Sequence, residues 1–253
     1  MNFKNLKTDV GYWVQSGNNK IPNHVGSWFQ EIFDKFLPKD DTKTVIEVGT
    51  CPGYNLAALV RSHNYSPFAI DFLPAVNDLP VYFQANGLPS PEVFNEDFIE
   101  WKSPLNFDVV MSFGFIEHFE NWEEVLQKHW DIVAPGGVLL IGVPIFGCMQ
   151  MWLRRLSYKD AKLIEVLESH NLRAMNLRSL ILNIKNYKGS RLIFSGHIKN
   201  MDTWIRADSD FVKPERAYIV KIWHILARIP RKFCLSMRAF SPYAIVVAKK
   251  CSV

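Results

Sequence analysis

Cysteine is scarce. There are four in 253 residues, Cys51, Cys148, Cys234 and Cys251, and none are in C-x-x-C spacing. A disulfide framework is not expected at this size, and a reducing, cytoplasmic setting follows. No Cys/His cluster has zinc spacing, so no metal is expected. The first ten residues, MNFKNLKTDV, lack an apolar core, and no secretory signal is expected there. Residues 132–153 carry no charge and have the length of a membrane span. Pro135, Gly136, Gly137, Pro144 and Gly147 interrupt them, so the stretch reads as a turn, a buried strand and a loop. There is no internal repeat, no low-complexity linker and no G-X-Y period, which excludes a collagen-like chain. Only 21% of residues are charged, whereas 48% are hydrophobic and 18 are Phe. Such a chain buries a sizeable core, and global disorder is excluded.

Charge is unevenly spread. Residues 1–144 hold 9 Lys/Arg and 18 Asp/Glu, and residues 145–253 hold 20 and 7. The asymmetry suits an acidic or membrane-surface partner for the second part, or two parts that neutralise each other. The basic, apolar segment 214–240 contains Ile219, Ile222, Trp223 and Leu226 at helical spacing. It reads as a membrane-surface or substrate-lid helix, or as an ordinary sheet-covering helix with a solvated basic face. No aromatic–basic module supports nucleic-acid binding.

Short apolar runs alternate with helical patterns. Strands are expected at 44–48, 67–71, 93–95, 107–113 and 138–144, and helices at 54–61 and 121–134. Asn121 is the expected N-cap of the second helix, and Pro135-Gly136-Gly137 its stop. Further on, 243–250 and 191–198 read as strands, and 154–187 and 214–229 as helical. This alternation indicates a mostly parallel sheet covered on both faces. The chain reads as one domain: an arm at 1–40, a core at 43–144, and a second half at 145–253 with a basic insertion.

The informative segment is Glu47-Val48-Gly49-Thr50-Cys51-Pro52-Gly53, after a strand and before a helix. Small residues there allow a sharp turn and close approach to a ligand, and the helix N-terminus offers free N–H groups. The second strand ends in Asp71, where ribose hydroxyls lie in such sheets. Asp97-Phe98 follows the third strand. The fourth, ending Ser112-Phe113-Gly114, leads into Phe115-Ile116-Glu117-His118, then Ala134-Pro135-Gly136-Gly137 and VLLIGVP.

This ordered set, over about residues 43–144, resembles the class I S-adenosylmethionine-dependent methyltransferases. The resemblance implies a Rossmann-like α/β fold: a seven-stranded, mostly parallel sheet, final strand antiparallel, helices on both faces, plus a C-terminal insertion. It also implies S-adenosylmethionine as cofactor and S-adenosylhomocysteine as product. Glu47, Gly49 and Gly53 match the loop's acidic residue and first and third glycines, while Cys51 replaces the middle one. Asp71 matches the ribose ligand, with Phe72 toward the adenine. Asp97 matches the residue meeting the adenine amino group, with Glu96 as competitor, and Phe98 flanks the ring. Ser112, Phe113 and Gly114 line the methionine side. In look-alike enzymes an N-terminal arm covers the cofactor, which gives Tyr12 a lid role unless Tyr12 and Trp13 simply pack on the core.

The residues support this cofactor in their own right. Gly49 and Gly53, at i and i+4, fit a pyrophosphate poorly, because a nicotinamide fingerprint wants G-x-G-x-x-G. S-adenosylmethionine has no phosphate and needs acceptors such as Asp71 and Asp97. His118 is the candidate general base for a hydroxyl acceptor, or else caps its loop with Glu117. Glu47 contacts the ligand or orders the turn. The expected reaction is methyl transfer to a small-molecule or glycan hydroxyl, an acceptor whose acidic or lipid-linked character would suit the basic tail. The alternatives are a non-catalytic cofactor-binding relative and a nicotinamide-dependent oxidoreductase.

Overall fold

The computed structural model describes residues 6–8, 11–13, 25–198, 203, 205–227 and 241–251. Cys234 and residues 228–240 of the basic segment lie outside the described residues.

The elements run α1 (Gln30–Phe36), β1 (Thr44–Val48), α2 (Tyr54–His63), β2 (Ser66–Ile70), α3 (Leu79–Ala85), β3 (Glu92–Phe94), β4 (Phe107–Phe113), α4 (Trp122–Asp131), β5 (Val133–Pro144), α5 (Cys148–Ser157), α6 (Asp160–Glu168), α7 (Leu177–Lys185), β6 (Ser190–His197), α8 (Ala217–Ala227) and β7 (Tyr243–Lys250). The strands form one seven-stranded sheet in the order β3-β2-β1-β4-β5-β7-β6. β1 to β5 pair in parallel. β7 runs antiparallel between β5 and β6. The Rossmann-like sheet expected from the sequence is present, with its reversed last strand.

Period-two alternation splits the strands' side chains between two cores. Ile46, Val110 and Leu139 join Trp122 and Leu126 of α4 and Leu180 and Ile184 of α7 on one face. Val45, Val109 and Leu140 join Phe33 of α1, Leu56 and Leu59 of α2, and Phe83 of α3 on the other. This double coverage explains why the strands are apolar throughout rather than alternating.

Several boundaries differ from the sequence reading. α4 stops at Asp131, and the Pro135-Gly136-Gly137 segment already belongs to β5, which begins at Val133. A register irregularity between β4 and β5 absorbs it. Asn121 stands at the N-cap position of α4 but makes no side-chain cap. Its amide instead donates to Glu124 Oε2 at 2.6 Å. The stretch 154–187 holds parts of three helices, not one, and the last is capped by the Asn176 side chain, which accepts from the Arg178 N–H.

The tail makes a small third core from Leu153, Tyr158, Val166, Ile205, Val212, Val220 and Trp223. Of the expected row on α8, Trp223 is buried with Val220 and Ile219 packs partly buried against this core, whereas Ile222 and Leu226 stand exposed. No helix among the described residues is long and apolar enough to cross a membrane.

Candidate active site

The carboxyl ends of β1, β2 and β4 open onto a cleft of about 730 Å³, part of it continuous with solvent. Gly49, Cys51, Asp71, Phe72, Asp97, Phe98, Phe113 and His118 all line it, so eight of the twelve residues singled out in the sequence meet there. The cleft is where open α/β sheets take ligands.

Its wall at the ends of β1 and β2 is tied together by backbone. The N–H groups of Gly49 and Thr50 donate to the Ile70 carbonyl, which ties the turn after β1 to the end of β2. Asp71 is nearly buried and accepts from the Leu73 N–H at Oδ1 and from the Cys51 N–H at Oδ2, both at 2.9 Å. Burial raises its pKa, and these donors pull against the rise. Further donation to the carboxylate comes from the Phe72 backbone. The Cys51 thiol, its pKa raised by burial, also bonds to Asp71. The residue replacing the middle glycine is thus a neutral, weak donor on the wall of the cleft.

Gly49 has φ +69°, and a Cβ there would come within 2.5 Å of Phe115 Cδ2. Glycine is required both by that backbone region and by the Phe115 ring laid against it. Asp97 sits at the far rim, where its Oδ1 accepts from the Ile99 N–H at 2.9 Å. Glu96, its competitor, lines the same rim. Phe98 is shared between cleft and core, against His129 at 4.6 Å and Phe115 at 5.9 Å. Phe113 stacks on Phe29 at 3.9 Å.

Four of the expected site residues lie off the cleft wall. Glu47 is buried beneath the turn, where Oε2 accepts from the Leu56 N–H at 3.0 Å and Oε1 from the Asn55 amide at 3.4 Å. It satisfies a free N–H in the first turn of α2, and burial pushes its pKa up to about 8. Gly53 is the N-cap of α2 with φ +92°, and its open side faces Leu79. Ser112 is buried, and strand alternation sends it to the face opposite Phe113. Tyr12 lines a separate hollow with Lys162, Glu165 and Glu168. The arm residues on the cleft are Leu6 and Trp13. Residues 11–13 are helical, and one step along a helix rotates a side chain by about 100°, so Trp13 takes the place expected for Tyr12.

His118 lines the cleft beside Trp13. Its Nδ1 meets the Ser169 carbonyl at 3.0 Å, and the Trp13 ring packs edge-on at 4.5 Å. Burial pushes its pKa well below the ordinary value, with His170 adding to the shift. Such an imidazole is a weak proton acceptor, which argues against the general-base role expected from the sequence. Phe115, Phe119 and Leu6 also line the cleft and were missed. The apolar sequence around Glu117 held the signal for the first two.

The residues fit S-adenosylmethionine. The strand-end carboxylate Asp71 lines the cleft with Gly49 and Gly114, and the aromatic rings of Phe72, Phe98, Phe113 and Phe115 surround it.

The family profile described as "Methyltransferase domain" matches residues 22–179. Among curated proteins none matches the chain. Several solved structures share the fold. YjhP from E. coli is 13% identical with a TM-score of 0.60, over 95% of this chain and 99% of that one. A SAM-dependent methyltransferase from Thiobacillus denitrificans, in complex with S-adenosylhomocysteine, is 15% identical with a TM-score of 0.59, over 95% and 98%. The N-methyltransferase NodS from Bradyrhizobium japonicum, also with S-adenosylhomocysteine, is 11% identical with a TM-score of 0.56, over 96% and 100%.

Proposed function

This chain belongs to the methyltransferase-domain family, and on that premise we propose that it transfers a methyl group from S-adenosylmethionine to a hydroxyl of a small-molecule or glycan acceptor. The single observation that carries the reading is Asp71, a buried strand-end carboxylate on the cleft wall, bonded to the Cys51 N–H of the glycine turn. S-adenosylmethionine, when bound, would supply an activated methyl: the acceptor oxygen bonds to the methyl carbon in line as the sulfur–carbon bond breaks, S-adenosylhomocysteine leaves and the hydroxyl proton passes to solvent.

The chain's own part is alignment and exclusion of water. Asp71 takes the ribose hydroxyls, and Asp97 takes the adenine amino group. Phe72 and Phe98 flank the base. Gly49 and Cys51 present backbone to the amino-acid portion. Phe113 and Gly114 border the methyl. Leu6 and Trp13 wall the cleft from solvent and take the covering role expected of Tyr12.

The acceptor enters beside the second half, residues 145–253. Its excess of Lys and Arg suits an acidic or lipid-linked molecule. On α8, Tyr218, Ile222 and Ile225 stand exposed next to Lys221. That mixture suits a cytoplasmic protein touching an anionic lipid surface.

Calorimetry with S-adenosylmethionine and S-adenosylhomocysteine tests the reading. Both bind the wild type, and Asp71→Ala weakens both at least tenfold, about 1.4 kcal/mol. No heat and no thermal shift with either ligand would contradict it. Counting S-adenosylhomocysteine released over a panel of acceptors then separates an enzyme from a non-catalytic relative.

A further inference from the structure

Glu117 is the least satisfied buried acid near the cleft. It is 0% exposed, and neither carboxylate oxygen has a hydrogen-bond partner among the described residues. An uncompensated buried carboxylate is costly, so it calls for a proton or a cation. Burial indeed pushes its pKa up to about 8.

Two imidazoles face it. His118 Nε2 stands 3.7 Å from Glu117 Oε1, too far for a hydrogen bond. The rings of His118 and His170 lie 4.6 Å apart. One ligating atom from each of Glu117, His118 and His170 falls within 4.8 Å of the others.

The tautomers are set by the backbone. His118 Nδ1 contacts the Ser169 carbonyl at 3.0 Å, and His170 Nδ1 the Val166 carbonyl at 2.6 Å. A carbonyl only accepts, so each Nδ1 carries the hydrogen and each Nε2 keeps its lone pair. Imidazoles that ligate metals show this arrangement, the second nitrogen held by a carbonyl.

We propose that Glu117, His118 and His170 bind one divalent transition-metal ion, of the zinc, cobalt or manganese class, at the methyl end of the cleft. Two neutral nitrogens and one carboxylate make a borderline donor set that selects such ions over calcium. Tetrahedral ligation at about 2.1 Å spaces donors by roughly 3.4 Å, so rotations of order 1 Å complete the site. Three protein ligands leave a coordination position open, the pattern of a site that handles substrate rather than one that only braces the fold. His118 lines the cleft, which gives that position a route to the acceptor. Arg154 stacks on Phe146, whose ring lies 5.3 Å from His170, and its positive charge opposes a cation there, which the Glu117 carboxylate has to outweigh.

The role of the ion rests on the proposed function. An acceptor hydroxyl bound to it gives up its proton to solvent more readily, and the oxygen forms its bond to carbon as the sulfur–methyl bond breaks.

The test uses the full chain, stripped with a chelator and checked for fold by circular dichroism. Zinc is titrated by calorimetry, and cobalt by its visible absorption. S-adenosylhomocysteine binding is measured on the same samples. The expected result is one ion per chain, with Glu117→Gln and His170→Ala each weakening it at least tenfold. His170→Ala, off the cleft wall, keeps its S-adenosylhomocysteine affinity. A folded wild type that binds S-adenosylhomocysteine but neither metal overturns the metal site and leaves the proposed function standing. So does equal metal affinity in wild type and both variants. Metal binding without any S-adenosylhomocysteine binding supports the site and overturns the function.

Discussion

The two ends of the cleft handle a buried carboxylate in opposite ways. At the sugar end Asp71 is held by two backbone N–H groups and a thiol, on a turn braced from below by Glu47. At the other end the Glu117 carboxylate has no hydrogen-bond partner among the described residues, with His118 Nε2 at 3.7 Å and a His170 nitrogen within 4.8 Å. A satisfied group is preorganised and binds by position, whereas an unsatisfied one is strained without its ligand. The difference teaches where to look: shape is finished at one end, and chemistry is awaited at the other.

The largest expected effect comes from breaking the preorganised end. Gly49→Val places a branched side chain at φ +69° and drives it into Phe115. S-adenosylhomocysteine binding disappears in calorimetry, and denaturation shows a loss of about 1–3 kcal/mol. If the variant binds normally, the turn is not the rigid element described here.

Removing the cover is milder. Trp13→Ala opens the wall beside His118, and affinity for S-adenosylhomocysteine falls severalfold with little change in melting temperature. An unchanged affinity would return Trp13 to a packing role.

Glu47 gives a pH signature at the sugar end. Its carboxyl pKa stands at about 8 in the folded chain against 4.5 ordinarily, because burial penalises the charged form. The folded state binds this proton more tightly than the unfolded chain. Its stabilisation is complete below about pH 4.5 and is lost as pH rises through about 8. Glu47→Gln keeps an acceptor for the Leu56 N–H and should flatten part of the fall in melting temperature between those values. An identical slope in the variant would show that Glu47 is charged in place.

The smallest effect is expected at Cys51. Its thiol is a weak donor on Asp71, so Cys51→Ala changes S-adenosylhomocysteine affinity by less than about threefold in titration. A larger loss would make the departure from glycine a functional one.

Much of this was legible in the sequence. Five apolar runs gave β1 to β5 because both faces of a parallel sheet are covered, and Asp71 could be placed because it ends one of them. Elsewhere the deciding contact was tertiary. Glu47 read as a ligand or as a brace of the turn, and α2 offers it an N–H. Ser112 was named with Phe113, although strand alternation already separates the two. Tyr12 was chosen over Trp13 because nothing local fixes the rotation of a short helical segment. The histidine cluster was invisible, since His170 stands 52 residues beyond His118 and joins it only through the helices after β5.

The account rests on a ribose held at the end of β2, and a crystal structure with S-adenosylhomocysteine tests that most directly. It should show both ribose hydroxyls within hydrogen-bond distance of Asp71, with the sulfur toward Phe113 and His118. A ligand bound elsewhere, or Asp71 bonded only to Leu73 and Cys51 while the ligand sits in the cleft, would contradict it.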